Sequence, residues 1–164
     1  MQAEGEFTLL RQKLELALGL DGQPVKRGTM AHDHIVYMML ADAAAEARDV
    51  TGLHLYSPLL EELALRDDHK PYLAVAHRAW AMACLLEGRY TEAEMRLQQA
   101  LAIFETMDAR WQLGRTQTIL AELALTRSDP GAAQEHLAAA LAEFESVGAT
   151  PDAERTRTAI DKRA

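Results

Sequence analysis

The sequence predicts an all-α chain, an α-α superhelix in which about eight helices stack as antiparallel pairs. Three observations carry this. Hydrophobic residues make up 49% of the 164 residues but aromatics only 5%, and alanine supplies much of the apolar share. Alanine is the best helix former, whereas strands favour β-branched and aromatic residues. Second, nearly every segment between glycine or proline signals repeats its apolar residues three and four apart, the spacing of one helix face. Third, "ALAIFETMDA" at 100–109 returns as "ALAEFESVGA" at 140–149. A shift of forty lays Trp80 on Leu120, Ala81 on Ala121, Ala93 on Ala133, Leu97 on Leu137, Ala100 on Ala140 and Phe104 on Phe144. Each unit is then a long helix, a tight turn and a second helix. Such a pair cannot bury its apolar stripe alone, and stacked neighbours bury it together.

The elements follow in order. Leu9, Leu10, Leu14, Ala17 and Leu18 give a first helix, ended by "GLDGQPVKRG" at 19–28, the one hinge the sequence offers. A second helix is expected over 32–49 and is broken by "VTG". Ser57–Pro58 then reads as the start of a short third helix, a capping hydroxyl with proline at the first helical position. Lys70–Pro71 opens a fourth, which Gly88 stops. "TEAE" at 91–94 reads as a capping box for a fifth, with Glu94 reaching back to Thr91. A sixth spans 109–127. Asp129–Pro130 opens the seventh and Thr150–Pro151 the eighth, whose Lys162 and Arg163 suit the negative helix end. The expected organisation is an N-terminal helix and loop at 1–30, units at 31–69, 70–108 and 109–149, and a capping segment at 150–164. The second helix of the first unit is expected to be shortened.

Charge and composition narrow the function. With 17 Lys and Arg against 25 Asp and Glu, the formal charge is −8, which disfavours a grip on phosphate backbones. No nucleic-acid partner is therefore expected. Cys84 is the only cysteine, so no internal disulfide can form and a reducing compartment is expected. It sits in "AMACLL" and reads as a buried thiol. No apolar run approaches the ~20 residues of a spanning helix, and "MQAEGEF" carries acids where a secretory signal carries cations. The expected location is the cytoplasm.

"AWAMACLLEGRYTEAEMRLQQALAIF" resembles a tetratricopeptide repeat. Trp80 stands at the large apolar site of the first helix and Ala81 at its small site. Gly88 and Tyr90 make the turn, Ala93 is the small residue of the second helix, and Ala100–Leu101 is its closing pair. The next unit turns on "RSDPGAA", without that glycine and tyrosine, and neither unit has the family's closing proline. The period is forty where the family has 34, and six further residues add ~1.7 helical turns. With "LAxFE" ending each second helix, the chain over 31–160 resembles the C-terminal repeat arrays of large bacterial signalling ATPases and transcription regulators. The resemblance implies a part in bacterial signalling, in which repeats bind partner segments or small effectors and hold other domains in check.

Motifs for chemistry are absent. Neither GxGxxG, GxxxxGK[ST] nor GxSxG occurs, and the pairs Glu61–Glu62 and Asp67–Asp68 splay on a helix. No catalytic residue and no cofactor is expected. His32 and His34 would share a metal only on extended backbone; on a helix they point about 200° apart, so solvated histidines and no metal are expected. His54, His69, His77 and His136 lack ligand spacing. The working surface is expected on the concave side, lined by the first helix of each pair. Its residues spared from packing are expected to be Arg78, Met82 and Leu85 in one unit and Arg115, Thr118 and Glu122 in the next. The two arginines would clamp a carboxylate. A protein or peptide partner follows. The alternative is a small-molecule effector held between Tyr37, Met38 and the concave face. Ile35, Val36, Met38, Met39 and Leu40 also offer an apolar surface through which a homodimer would form.

Overall fold

The computed structural model describes residues 2–17 and 31–162, with side chains over 9–16 and 33–162. Eight helices account for nearly all of them: α1 (Gln2–Ala17), α2 (Ala31–Glu46), α3 (Val50–Arg66), α4 (Lys70–Leu86), α5 (Tyr90–Thr106), α6 (Arg110–Thr126), α7 (Pro130–Ser146) and α8 (Thr150–Asp161). No strand occurs among the described residues. The 19–28 loop and Arg163 lie outside them. Each helix packs on the next from α1 to α8, and the first helices α2, α4 and α6 also touch in sequence. The arrangement is an all-α superhelix.

Its regularity begins in the turns. Helices α3 to α7 are each 17 residues long, and three-residue turns join α2 through α8, so one pair fills the forty-residue period. In every turn the middle residue is left-handed: Arg48 (φ 54°), Asp68 (49°), Gly88 (76°), Asp108 (50°), Ser128 (61°) and Gly148 (69°). The next amide then reaches five residues back, from Asp49 to Ala44 O at 2.9 Å and likewise through Ala149 to Phe144 O at 2.9 Å. This is the Schellman closure. The residue donating that bond is also the N-cap of the following helix, which fixes where each helix leaves the last.

Only two of the six left-handed positions are glycine. Left-handed backbone costs an ordinary L-residue ~1–2 kcal/mol, less for Asp. Ser128→Gly is therefore expected to raise stability by ~0.5–1 kcal/mol, after the entropy glycine gains in the unfolded chain. Nothing lies within 4 Å of a side chain added at Gly88, so Gly88→Ala should lose ~1 kcal/mol through backbone strain alone. Urea denaturation of both variants checks the pair of signs.

Three expected boundaries are corrected. Ser57–Pro58 does not start a helix: Pro58 lies inside α3, which is 17 residues long and not shortened. The true start is Asp49, whose carboxylate accepts from the Gly52 amide at 3.0 Å. Gly52 is there for close approach, since a Cβ would lie 2.8 Å from Asp49 Oδ2 and 3.1 Å from Ala44 Cβ. The Thr91 capping box does not form either; α5 begins at Tyr90 with Arg89 as cap and no side-chain cap bond. Likewise Ala149, not Thr150, caps α8. Asp129 does cap α7, accepting from the Ala132 amide at 2.9 Å.

The core repeats with the chain. Ala81, Ala93, Ala100, Ala121, Ala133 and Ala140 are all buried, as are Leu97, Leu137, Phe104 and Phe144. Small residues let the helix axes approach. Polar contacts keep the same step. His54 meets Glu87 at 2.5 Å, and forty residues on Glu94 meets Arg127 at 2.6 Å with the acidic partner on the other side. Arg96 meets His77 Nδ1 at 2.9 Å, and forty residues on His136 meets Gln117 at 2.7 Å. The side chains differ while the positions that meet do not, so the two pairs share one pattern of contacts. At α8 the pattern turns polar: Glu154 and Arg157 stand where α6 has Gly114 and Gln117, and both are exposed.

Candidate functional site

Three first helices place one stripe each on a common face. On α2 the residues at helical spacing are Ile35, Met39, Asp42 and Glu46; on α6 they are Trp111, Arg115, Thr118 and Glu122. Arg115 crosses from α6 to α2, giving Nη1 to Asp42 Oδ2 at 2.8 Å and Nη2 to Glu46 Oε1 at 3.1 Å. Arg48, in the turn after α2, reaches Glu122 of α6. Helices two apart in a stacked row can be bridged this way only on the inside of its curve. The face is therefore the concave one.

Helix α4 forms the floor beneath these bridges. Arg78 is 2% exposed and spans both neighbours, donating Nη2 to Asp42 Oδ1 at 3.1 Å and Nη1 to Gln112 Oε1 at 2.5 Å. Its guanidinium also lies 5.6 Å from the Phe104 ring centre. Met82 and Leu85 are buried at 6% and 5%. All three were expected to be spared from packing, and none is. A first helix flanked on both sides has no open face where its neighbours meet above it. Thr118 is exposed, with its hydroxyl turned to Gly114 O at 3.0 Å, and Glu122 is half-buried under Arg48. The two arginines do converge on a carboxylate, and it is the chain's own Asp42.

Burial shapes the charges here. It would push the Asp42 carboxyl up, but Arg78 and Arg115 outweigh it and hold Asp42 below the usual carboxylate range. Burial lowers Arg78 to about 10 despite Asp42. Arg115 meets the same burial, and its contacts to Asp42 and Glu46 carry it above its ordinary value.

At the edges of this network the face is apolar and open. Trp111 is 41% exposed, with Arg115 stacked 4.9 Å from its ring centre and its indole N–H given to Asp152 of α8 at 3.0 Å. Ile35 and Met39 are exposed at 46% and 36%. The corresponding α4 residues, Val75 and Ala79, are buried. Asp42, Glu46, Arg48, Gln112 and Trp111 escape the sequence reading. The forty-residue shift carries the signal, because it lays Asp42 over Met82 and Glu122.

Other expected positions fall as follows. Tyr37 is fully buried and Met38 partly so; burial, with Asp33 adding to it, pushes the Tyr37 hydroxyl up to about 12. A half-open cavity of about 200 Å³ lies elsewhere, at the α7–α8 turn, lined by Phe144, Ala149, Ala153 and Arg157 among others. Leu40 is in the core and cannot contribute to a pairing surface. His34 is not solvated. It is buried between Leu63 O (3.3 Å) and Asp67 Oδ2 (3.1 Å) and stacked on Tyr72. Both neighbours accept, so its Nε2 carries the hydrogen. The side chain of His32 lies outside the described residues. Among the described residues no group of three or more His, Cys, Asp or Glu is placed to hold a metal, and no helix is long and apolar enough to cross a membrane. Cys84 is buried, and desolvation pushes its thiol up. Comparison with protein-family models, curated proteins and solved structures finds no match to this chain.

Proposed function

We infer that this chain is a non-catalytic interaction scaffold of the tetratricopeptide-like kind, holding a partner's peptide segment along the concave face of α2, α4 and α6. The supporting observation is Trp111. It is the largest side chain of that face, it stands 41% open to solvent, and Arg115 and Asp152 fix its ring in place. A rigid, half-open aromatic flanked by charged groups is the usual anchor of a protein interface. Ile35 and Met39 add exposed apolar surface on the facing helix, so anchors stand at both edges of the face. A role in bacterial signalling follows from the resemblance alone.

Peptides selected from a random library against the purified chain test this reading. Trp111→Ala should weaken them at least tenfold, about 1.4 kcal/mol, and Met39→Glu should weaken them further. Met95→Glu, on the second helix α5, should leave them unchanged. Selected peptides that bind Trp111→Ala as tightly as the parent contradict the assignment.

A further inference from the structure

Repeat arrays ordinarily hold together through neighbouring units. Here the first pair is tied directly to the third. Arg115 sits 73 residues from Asp42 and 69 from Glu46, and Arg48 sits 74 from Glu122, so these bonds bridge helices that have α4 between them. The geometry points to an ionic clasp: Arg115 with Asp42 and Glu46, and Arg48 with Glu122, draw α2 and α6 together over α4 and hold the concave groove narrow until the clasp is opened.

The clasp has two layers of different strength. The inner one, Asp42 with Arg78 and Arg115, is shielded, the two arginine side chains being 3% and 15% exposed. The outer one is wet: Arg48 and Glu122 are 52% and 32% exposed and Glu46 is 53% exposed. Exposed pairs are individually weak and screened by salt, whereas shielded ones are not. Apolar packing between neighbours and the shielded Arg115–Asp42 bond set the stack, and the outer ion pairs set how tightly its Arg48–Glu122 end closes. The same bonds occupy the groove that a partner segment would enter, so they act as an autoinhibitory contact. This last point rests on the concave-face reading; the clasp itself does not, and its test needs no ligand.

Spin labels at Thr51→Cys and Thr126→Cys, in a Cys84→Ala background, report the distance between the first and third pairs beside Arg48 and Glu122. Labels at Thr51→Cys and Thr91→Cys report neighbouring pairs. Raising the salt from 0.05 to ~1 M, where the screening length falls to ~3 Å, should lengthen and broaden the first distance and leave the second alone. The Arg48→Gln and Arg115→Gln double variant should show the long distance already at low salt. An unchanged 51–126 distance under both treatments overturns the clasp. So does an equal change at 51–91, which would mean general loosening. If the double variant fails to fold, the salt series on the parent decides.

Discussion

Asp42→Ala is expected to cost about 3–5 kcal/mol of folding stability, because it leaves the buried Arg78 guanidinium without its bonded carboxylate, the Gln112 oxygen still accepting from it. Glu46→Ala removes an exposed carboxylate from the same network and should cost under ~1 kcal/mol. Urea denaturation separates the two. A pH series adds a second signature. The folded-state value of Asp42 lies below its unfolded value of ~3.9, so its contribution is complete above that pH and is lost as pH falls through the folded value. Asp42→Asn should flatten that part of the acid limb. Equal losses for Asp42→Ala and Glu46→Ala would mean that Arg78 is solvated and the floor is not sealed.

Phe144→Ala is expected to cost about 3–5 kcal/mol through the cavity it leaves, since the ring is 3% exposed and seated against the bare backbone of Gly114. A Cβ at Gly114 would lie 2.6, 2.8 and 2.9 Å from three ring atoms of Phe144. Gly114→Ala should thus destabilise by ~1–3 kcal/mol through overpacking, although alanine is the better helix former by ~1 kcal/mol. Combining Gly114→Ala with Phe144→Leu should recover part of the loss, a coupling that contacting residues show and distant ones do not. Additive losses would place the ring elsewhere. Trp111→Ala, at an open position, should change stability by less than ~1 kcal/mol.

The fold was legible because it is written twice over. The small residues at 81, 93 and 100 and their copies at 121, 133 and 140 give both helix crossings and the forty-residue step, and all six are buried. Boundaries were less legible where one residue type has two uses. Gly52 looks like a breaker and is instead the close-approach residue beneath the Asp49 cap. Ser57–Pro58 copies the signature of a helix start at a point where α3 is already under way, because tertiary packing overrides a local preference. The concave face was half legible. Helical spacing gave the side of α4 and α6 that carries Arg78 and Arg115, but not that Arg78 is buried there. It could not show that Asp42, some 36 and 73 residues earlier, meets both of them, since that contact depends on how far the stack curls. Curvature is a sum of small packing angles and leaves no mark on any single segment.

Oxidative footprinting of a selected peptide complex tests the central claim most directly, because the chain carries exposed reporters on both sides. Trp111 and Met39 stand on the first-helix face, while Met95 and Met107 belong to α5 and its end. Methionine and tryptophan oxidise in proportion to their access to solvent. The bound peptide should slow oxidation of Trp111 and Met39 several-fold and leave Met95 and Met107 at their free rates. Protection of Met95 and Met107, with Trp111 and Met39 unchanged, would contradict the account and move the working surface to the convex side.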